Sequence, residues 1–202
     1  KLLMNKKALI SACVGLFTLT FLVSSAFADT FNFKWSIIDG NLVTVAANGD
    51  NLNSDWGGTV FTNARTKWNG TSARLLITST SFSSSKLDLY SVSSTQWANN
   101  GWGSGLYAWA QPWSGSTICA PTPSSNPDSN CTTADYGAIY VNSGNTPTGS
   151  DFRSAILAHE IGHIVGLAHT TSNTSSIMQP SPNSYFSYTP TTYDVNEFNG
   201  KY

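Results

Sequence analysis

Short runs in which apolar and polar side chains alternate occupy most of the chain between residues 33 and 142. This alternation is typical of β-strands that bury one face. In one of these runs Leu75, Leu76 and Ile77 are expected to be buried. Pro112 is expected to end another run, because proline cannot donate to a strand ladder. The predicted strands are a strand or hairpin over 33–47 with Asp39-Gly40 as its turn, followed by 74–80, 87–92, 105–113 and 136–142.

One stretch with helical spacing interrupts these strands. Val60, Ala64 and Trp68 follow one another at intervals of four, which places them on one face of a helix. Ser54-Asp55 is expected to cap this helix, and Asn69-Gly70 is expected to close it. Because strands precede and follow the helix, the pattern predicts an α+β domain in which a mixed sheet carries a backing helix.

Residues 151–167 have the strongest helical pattern in the chain. The stretch over 155–165 is apolar on almost every side, so this helix is expected to be buried. Ser150 or Asp151 is expected to cap its start. Gly166 stands where helices commonly end in a left-handed residue.

The N-terminal residues have the pattern of a secretory signal peptide. Two lysines precede an apolar stretch over 8–23, and Ala26-Phe27-Ala28 is a small-x-small cleavage site. Met4 is the expected initiator, which places residues 1–3 upstream of it. We therefore expect a signal peptide over 1–28.

After cleavage, residues 29–202 are expected to form one exported, extracellular domain with no membrane attachment. A transmembrane anchor is the alternative, but the apolar stretch is too short and has the wrong flanks. A lipid anchor on Cys13 is less favoured still, because too little apolar sequence precedes that cysteine. The leader and the single domain resemble those of bacterial proteins, so a bacterial source is expected.

The composition supports a packed domain and argues against a nucleic-acid partner. Apolar residues make up 40% of the chain, with 7 Trp, 8 Tyr and 10 Phe, so a core can form. Charged residues make up only 10%, the net charge is −1, and no basic run occurs outside the leader. Proteins that bind nucleic acids carry such a basic patch. A monomer is expected.

Two of the three cysteines, Cys119 and Cys131, remain after the leader is removed. Two cysteines in an exported protein usually pair. The residues between them are rich in Pro, Ser and Asn, so a disulfide here would pin a surface loop. Two free thiols are the less favoured alternative outside the cytoplasm.

All 3 histidines of the chain, His159, His163 and His169, fall in one short segment. His159 and His163 are four residues apart on the predicted helix, so both can bind one metal ion. Gly166 allows a sharp turn that returns His169 to the same ion. Three neutral imidazoles leave the fourth zinc position open, as a catalytic site requires. Glu160, beside the first ligand, is expected to act as the general base toward a water molecule at the metal.

Two alternatives to a catalytic zinc site carry less weight. Chance placement is a poor explanation, because it would have to bring every histidine, Glu160 and Gly166 into one spacing. A structural zinc site usually has four protein ligands, which are often cysteines.

The segment from His159 to His169 resembles the metzincin signature H-E-x-x-H-x-x-G-x-x-H, which a methionine turn follows. Ser176-Ile177-Met178-Gln179-Pro180 lies just downstream, and the resemblance places Met178 beneath the zinc. The methionine-x-proline of this turn is most similar to the matrixins, a family of zinc peptidases. Residues 192–202 are similar to the closing helix of that family. The resemblance implies a zincin-like α+β domain: a mixed twisted sheet of about five strands, a backing helix, a buried active-site helix and a C-terminal helix.

The resemblance also implies where a peptide substrate lies. An edge strand above the cleft is expected to pair with an extended peptide through backbone hydrogen bonds. The residues expected to contact the substrate are Leu106, Tyr107, Ala108 and Pro180, with Tyr185 at the far end of the pocket wall.

The expected metal content departs from the family pattern. Matrixins bind a second, structural zinc through further histidines, and this chain has none left; Tyr140 stands where one of them would be. We therefore expect one catalytic zinc ion and no structural zinc. Calcium stays open, because Asp128, Asp135 and Asp151 are available as ligands but are equally well explained as surface carboxylates. The family's metal-blocking cysteine has no counterpart between the predicted cleavage site and Trp35.

Together these features predict a secreted zinc endopeptidase that hydrolyses peptide bonds in proteins. A secreted, non-catalytic binding protein or adhesin on the same scaffold is the alternative. The intact Glu160 argues against it, because a scaffold that no longer catalyses a reaction could lose that base without consequence. A metal-dependent amidase that acts on another amide would use the same atoms and differ only in the pocket.

Overall fold

The computed structural model describes residues 30–120, 129–170, 173, 175–181 and 186–202. The predicted signal peptide over 1–28 lies outside the described residues, as does most of the segment between the two cysteines. Within the described ranges, no helix has both the length and the apolar character needed to span a membrane.

One mixed sheet organises the domain. The strands in chain order are β1 (Lys34–Trp35), β2 (Ile38–Asp39), β3 (Leu42–Asn51), β4 (Leu75–Ser79), β5 (Leu87–Val92), β6 (Ala108–Ser114), β7 (Thr117–Ile118), β8 (Thr133–Ala134) and β9 (Tyr136–Asn142). Strands β3, β4, β5 and β9 pair in parallel, and β6 lies antiparallel beside β9. These five long strands are the predicted ones. The short strands β2 and β7 extend the sheet from about five strands to seven, and β1 pairs with β8 in a separate ladder.

Within the described ranges, four α-helices accompany the sheet. They are α1 (Thr59–Asn69), α2 (Ser94–Asn99), α3 (Ser150–Ile164) and α4 (Thr192–Lys201). The short α2 was not predicted, although Ser93 and Gln96 form a capping box at its start. The C-terminal helix implied by the resemblance is present as α4, and Thr191 and Asp194 form its capping box.

The starts of α1 and α3 differ from the predicted ones. Helix α1 begins after Gly58 and not at Ser54-Asp55, and α3 has Gly149 as its N-cap. Both glycines have a positive φ, of 53° and 87°, which other residues adopt only at a cost. Ser150 and Asp151 are therefore the first residues of α3 and not its cap. The Asp151 carboxylate lies near the positive end of the helix dipole.

Two predictions about the strands were wrong. Leu76 is 39% exposed, because side chains alternate along β4 and only Leu75 and Ile77 face the core. Pro112 lies inside β6 and does not end it. Its carbonyl accepts from the Cys119 N–H on the side away from β9. Since the nitrogen and oxygen of one strand residue point to the same side, the missing N–H falls outside the β6–β9 ladder.

Helix α3 packs between α1 and the sheet and forms the centre of the core. Every residue from Ser154 to Ile164 is buried, which confirms the prediction. The indole N–H of Trp68 on α1 donates to the Ala158 carbonyl at 2.8 Å. Gly137 on β9 makes room for Ile164, because a Cβ at this glycine would lie 2.9 Å from the isoleucine side chain. The burial of α3 fixes the axis from which the side chains of His159 and His163 project.

Candidate metal centre and cleft

The three histidines converge at the C-terminal half of α3. His159 and His163 project from one face of the helix, and His169 returns after the turn at Gly166. The Nε2 atom of His169 lies 3.2 Å from Nε2 of His159 and 3.1 Å from Nε2 of His163. Among the residues that the structure describes, this is the one group of three or more His, Cys, Asp or Glu side chains close enough to share an ion.

Two backbone carbonyls fix the protonation of the first two imidazoles. Nδ1 of His159 lies 2.7 Å from the Ile177 carbonyl oxygen, and Nδ1 of His163 lies 2.8 Å from the Leu167 carbonyl oxygen. A carbonyl only accepts, so each Nδ1 must carry the proton and donate it. Each Nε2 then keeps a lone pair directed toward His169. Metal-binding histidines are generally held in this way.

The donor set fits a zinc ion. Nitrogens that surround zinc tetrahedrally at about 2.0–2.1 Å lie about 3.3 Å from one another, close to the 3.1 and 3.2 Å found here. Burial lowers the pKa of His159, and burial together with the other two imidazoles lowers that of His163 further. Burial and the neighbouring His159 lower the pKa of His169 to about 3. All three imidazoles are therefore neutral at pH 7, which is the form that binds zinc.

The predicted methionine turn packs against the metal-binding helix. Met178 is buried, and its sulfur approaches Gly162 on α3 so closely that a Cβ there would lie 2.5 Å from it. The N–H of Thr170, next to His169, donates to the Met178 carbonyl at 2.9 Å. Gly166 has a φ of 92°, the left-handed conformation expected of it. The structure thus brings Gly166 and Met178 together with the histidines.

A buried carboxylate on α4 anchors the methionine turn, and the sequence analysis missed this role. Asp194 is 1% exposed. It accepts from the Ser176 hydroxyl and, at 3.2 Å, from the Ile177 N–H. The Ser176 hydroxyl accepts in turn from the Met178 N–H at 2.8 Å. Because the Ile177 carbonyl holds His159, Asp194 supports a candidate metal ligand indirectly. The capping box that Asp194 forms with Thr191 could have been predicted from the sequence. The contacts of Asp194 with Ser176 and Ile177 could not, because they depend on tertiary packing.

Glu160 lies where α3 faces the sheet. It is 7% exposed, and the Ala110 backbone of β6 donates a hydrogen bond to it. Its Oε2 atom has no hydrogen-bond partner among the described residues. Burial raises the pKa of Glu160 to about 8, against a smaller lowering by the Ala110 bond. A buried polar atom without a partner is costly, so this oxygen is available to a group that enters the cleft.

A cleft of about 140 Å³ opens beside the histidines. His159, Glu160 and His169 line it, and so do all four residues expected to contact a substrate: Leu106, Tyr107, Ala108 and Pro180. Ser181, the next residue of the predicted wall, also lines the cleft, and residues 182–185 lie outside the described residues. Strand β7 covers the outer edge of β6 only at Trp113 and Ser114. The stretch of β6 beside the cleft therefore keeps an edge that no described strand pairs with.

Aromatic side chains that the sequence analysis did not name lie beside the cleft. The ring centroid of Phe152 on α3 lies 6.1 Å from those of Tyr107 and Phe186 and 5.6 Å from that of Tyr188. Phe186 also lines the cleft and lies 6.4 Å from the His159 ring. Phe152 could have been found, because it precedes His159 by two helical turns. No spacing rule links Phe186 or Tyr188 to the site.

The predicted disulfide between Cys119 and Cys131 is present, with the two Cα atoms 4.9 Å apart. It ties the residue that follows β7 to the segment that precedes β8. The Asn130 N–H donates to the Cys119 carbonyl at 2.8 Å, so the backbone closes the same loop.

The candidate calcium ligands are engaged by protein groups where the structure describes them. Asp151 forms an ion pair with Lys67 at 2.6 Å. One carboxylate oxygen of Asp135 accepts from the Gly115 N–H at 3.3 Å. Asp128 lies outside the described residues. The two described carboxylates thus pair with protein groups, as surface carboxylates do.

Tyr140, which stands where the resemblance would place a structural-zinc histidine, belongs to an aromatic cluster. Its ring centroid lies 5.0 Å from that of Trp102 and 5.5 Å from that of Tyr90. Trp102 also contacts Trp97 and Trp109, at 4.8 and 6.0 Å. Aromatic packing thus occupies this part of the sheet.

Comparison with known families adds one finding. A family model described as Matrixin matches residues 23–199. The match covers most of the chain, including the metal-binding helix, the methionine turn and nearly all of α4. No curated protein matches the chain.

Proposed function

The chain belongs to the matrixin family and has its zinc metallopeptidase fold, and we propose that it is an endopeptidase with the residues described above as its active site. One observation carries the proposal: three neutral imidazoles, an open cleft and the unpartnered Oε2 of Glu160 meet at one place. The family implies zinc and protein substrates, and the three-histidine group is consistent with that zinc.

His159, His163 and His169 would hold the zinc ion, which when bound polarises a carbonyl and makes a water molecule more acidic. A zinc ion held beside Glu160 would favour the ionised carboxylate and so oppose the burial that raises its pKa. Ionised Glu160 would take a proton from the attacking water through Oε2 and deliver it to the leaving amine. The Ala110 backbone also lowers the pKa of the carboxyl and so favours the ionised form that can accept a proton. His159 and His163 keep their Nδ1 protons bonded to the Ile177 and Leu167 carbonyls. Burial lowers the pKa of all three imidazoles, so they stay neutral throughout.

The open edge of β6 would receive an extended peptide. Backbone pairing of this kind gives affinity without reading side chains, so we expect broad specificity. Leu106, Tyr107 and Ala108 would lie along one side of the peptide, and Pro180 would lie across the cleft from them. The apolar and aromatic lining, including Phe186, favours substrates with an apolar side chain next to the cleaved bond.

Removal and return of zinc test this proposal. A chelator should abolish the cleavage of casein by the purified protein, and one equivalent of zinc should restore it, whereas calcium alone should not. Metal analysis should find one zinc per chain, and a second tightly held zinc would contradict the expectation of no structural zinc. A folded, zinc-loaded protein that cuts no protein or peptide would overturn the peptidase and favour the binding protein or adhesin.

The cellular setting forms a second part of the proposal. We expect the protein to be exported after cleavage at Ala28, because disulfides such as Cys119–Cys131 persist in oxidising compartments. We also expect the exported protein to be a monomer. N-terminal sequencing of protein exported by a bacterial host should begin at Asp29. Retention of the leader, or a dimer in size-exclusion chromatography, would contradict this part alone.

A further inference from the structure

Residues 165–167 form the turn that joins α3 to the third histidine. The last carbonyl of this turn, at Leu167, accepts the Nδ1 proton of His163 at 2.8 Å. The position of the turn therefore sets the orientation of one metal ligand and the path of the chain to His169. The other two carbonyls of the turn are held by residues from the N-terminal and C-terminal ends of the described chain.

Tyr202 holds the first of these carbonyls. Its hydroxyl donates to the Val165 carbonyl at 2.9 Å and accepts from the Trp35 N–H at 2.7 Å. The tyrosine ring packs against Phe198 of α4, with the ring centroids 4.8 Å apart. Burial raises the pKa of the phenol, so the hydroxyl keeps the proton that it donates. One hydroxyl thus ties the end of α3 to β1.

Phe31 and Lys201 hold the second carbonyl. The Phe31 N–H donates to the Gly166 carbonyl at 2.8 Å, and the Phe31 carbonyl accepts from Nζ of Lys201. The Phe31 ring also lies 6.0 Å from the His163 ring. A Cβ at Gly166 would lie 2.5 Å from Cε of Lys201 and 3.0 Å from the Phe33 carbonyl oxygen. Glycine is required here both for its positive φ and for this close approach.

We propose that Lys201 and Tyr202 are positioning residues of the metal centre, which hold the turn at 165–167 and thereby set the geometry of His163 and His169. This inference rests on the zinc site of the proposed function. Neither side chain lines the described cleft, so their loss should act on zinc affinity before it acts on substrate binding. Direct hydrogen-bond partners of a metal-binding histidine typically change metal affinity about 10- to 100-fold when they are removed. Tyr202 bonds to the turn and not to a histidine, so we expect its effect toward the lower end of this range.

Zinc affinity of two variants tests the proposal. Tyr202→Phe keeps the ring and removes only the hydroxyl, and Lys201→Met keeps most of the stem and removes the ammonium group. Chelator competition at fixed pH should show zinc binding weaker by about tenfold or more for Tyr202→Phe, with a smaller loss for Lys201→Met. The matched controls are Tyr140→Phe, in the aromatic cluster around Trp102, and Lys86→Met, at an exposed position, and both should bind zinc like the wild type.

Denaturant unfolding of the zinc-free proteins supplies a readout that separates positioning from stability alone. If Tyr202→Phe unfolds more readily but, while folded, binds zinc as tightly as the wild type, the residue is structural only and the proposal is overturned. If the wild type binds zinc and both variants bind it equally tightly, this inference is overturned and the proposed function stands. A wild-type protein that binds no zinc would overturn both.

Discussion

The floor of the cleft and its rim are built differently. The floor consists of the three histidines, the methionine turn and the backbone that holds them, and its residues His163 and Met178 are each only 2% exposed. The rim consists of Leu106, Pro180 and Phe186, with Tyr188 packed beside Phe186, and here Leu106 is 40% and Tyr188 45% exposed. A preformed floor loses little freedom when a ligand binds, whereas an exposed rim can adjust to different side chains. Changes in the floor should therefore affect metal binding and stability, and changes in the rim should affect substrate choice.

Removal of the floor's buried anchor should have the largest effect on stability. Asp194→Ala leaves the Ser176 hydroxyl and the Ile177 N–H without their acceptor, and each buried unsatisfied group costs about 1–3 kcal/mol. We expect the free energy of unfolding to fall by about 2–4 kcal/mol in denaturant titrations of the zinc-free protein.

The exposed carboxylate of Asp39 on β2 provides the matched control. Asp39→Ala should stay within about 0.5 kcal/mol of the wild type, as surface substitutions usually do. If the two variants were equally stable, the floor would not depend on Asp194.

A rim substitution should change substrate use and leave the floor intact. Leu106→Ala removes an apolar side chain that is partly exposed, so we expect kcat/KM for peptides to fall by about two- to tenfold. Zinc content and the unfolding midpoint should stay at wild-type values. Steady-state kinetics on matched peptides that differ in one side chain next to the cleaved bond would measure the effect. Loss of zinc from Leu106→Ala would show that rim and floor are not separable.

The smallest expected effect is the pH dependence that Lys201 gives to the free energy of unfolding. Burial, with repulsion from Lys34, lowers the pKa of Lys201 to about 8 from its ordinary value of 10.5. Between these two values the unfolded chain binds more protons than the folded chain, so rising pH favours the folded state. We expect the unfolding free energy of the wild type, relative to that of Lys201→Met, to increase from pH 8 to pH 10. Parallel curves for the two proteins would contradict the lowered pKa of Lys201.

The floor was easier to predict from the sequence than the rim, and the reason is physical. His159 and His163 lie on one helix, and His169 follows the turn at Gly166, so helical spacing and one local turn bring the three together. The rim joins residues from distant parts of the chain. Leu106 was placed there only by resemblance, and Phe186 and Tyr188 were not predicted, because no local pattern encodes which distant segments pack together.

The same distinction applies to the fold. Alternating apolar residues predicted all five long strands, because strand burial leaves a period of two in the sequence. The helix starts at Gly58 and Gly149 were missed, because a positive φ leaves no trace in an apolar pattern. Pro112 was wrongly predicted to end its strand for a related reason. Which side of β6 faces away from β9 depends on the order of strands in the sheet, and the residues of β6 do not encode that order.

A peptide-library digest by the wild type and by Glu160→Gln, both loaded with one zinc per chain, tests the central claim most directly. Mass spectrometry of the products reports the cleaved bonds and the side chains beside them. We predict cleavage by the wild type next to apolar residues, and a rate about 10²–10⁴-fold lower for the variant, because glutamine cannot take the proton. Equal rates for the two zinc-loaded proteins, or no cleavage by the wild type, would contradict the account.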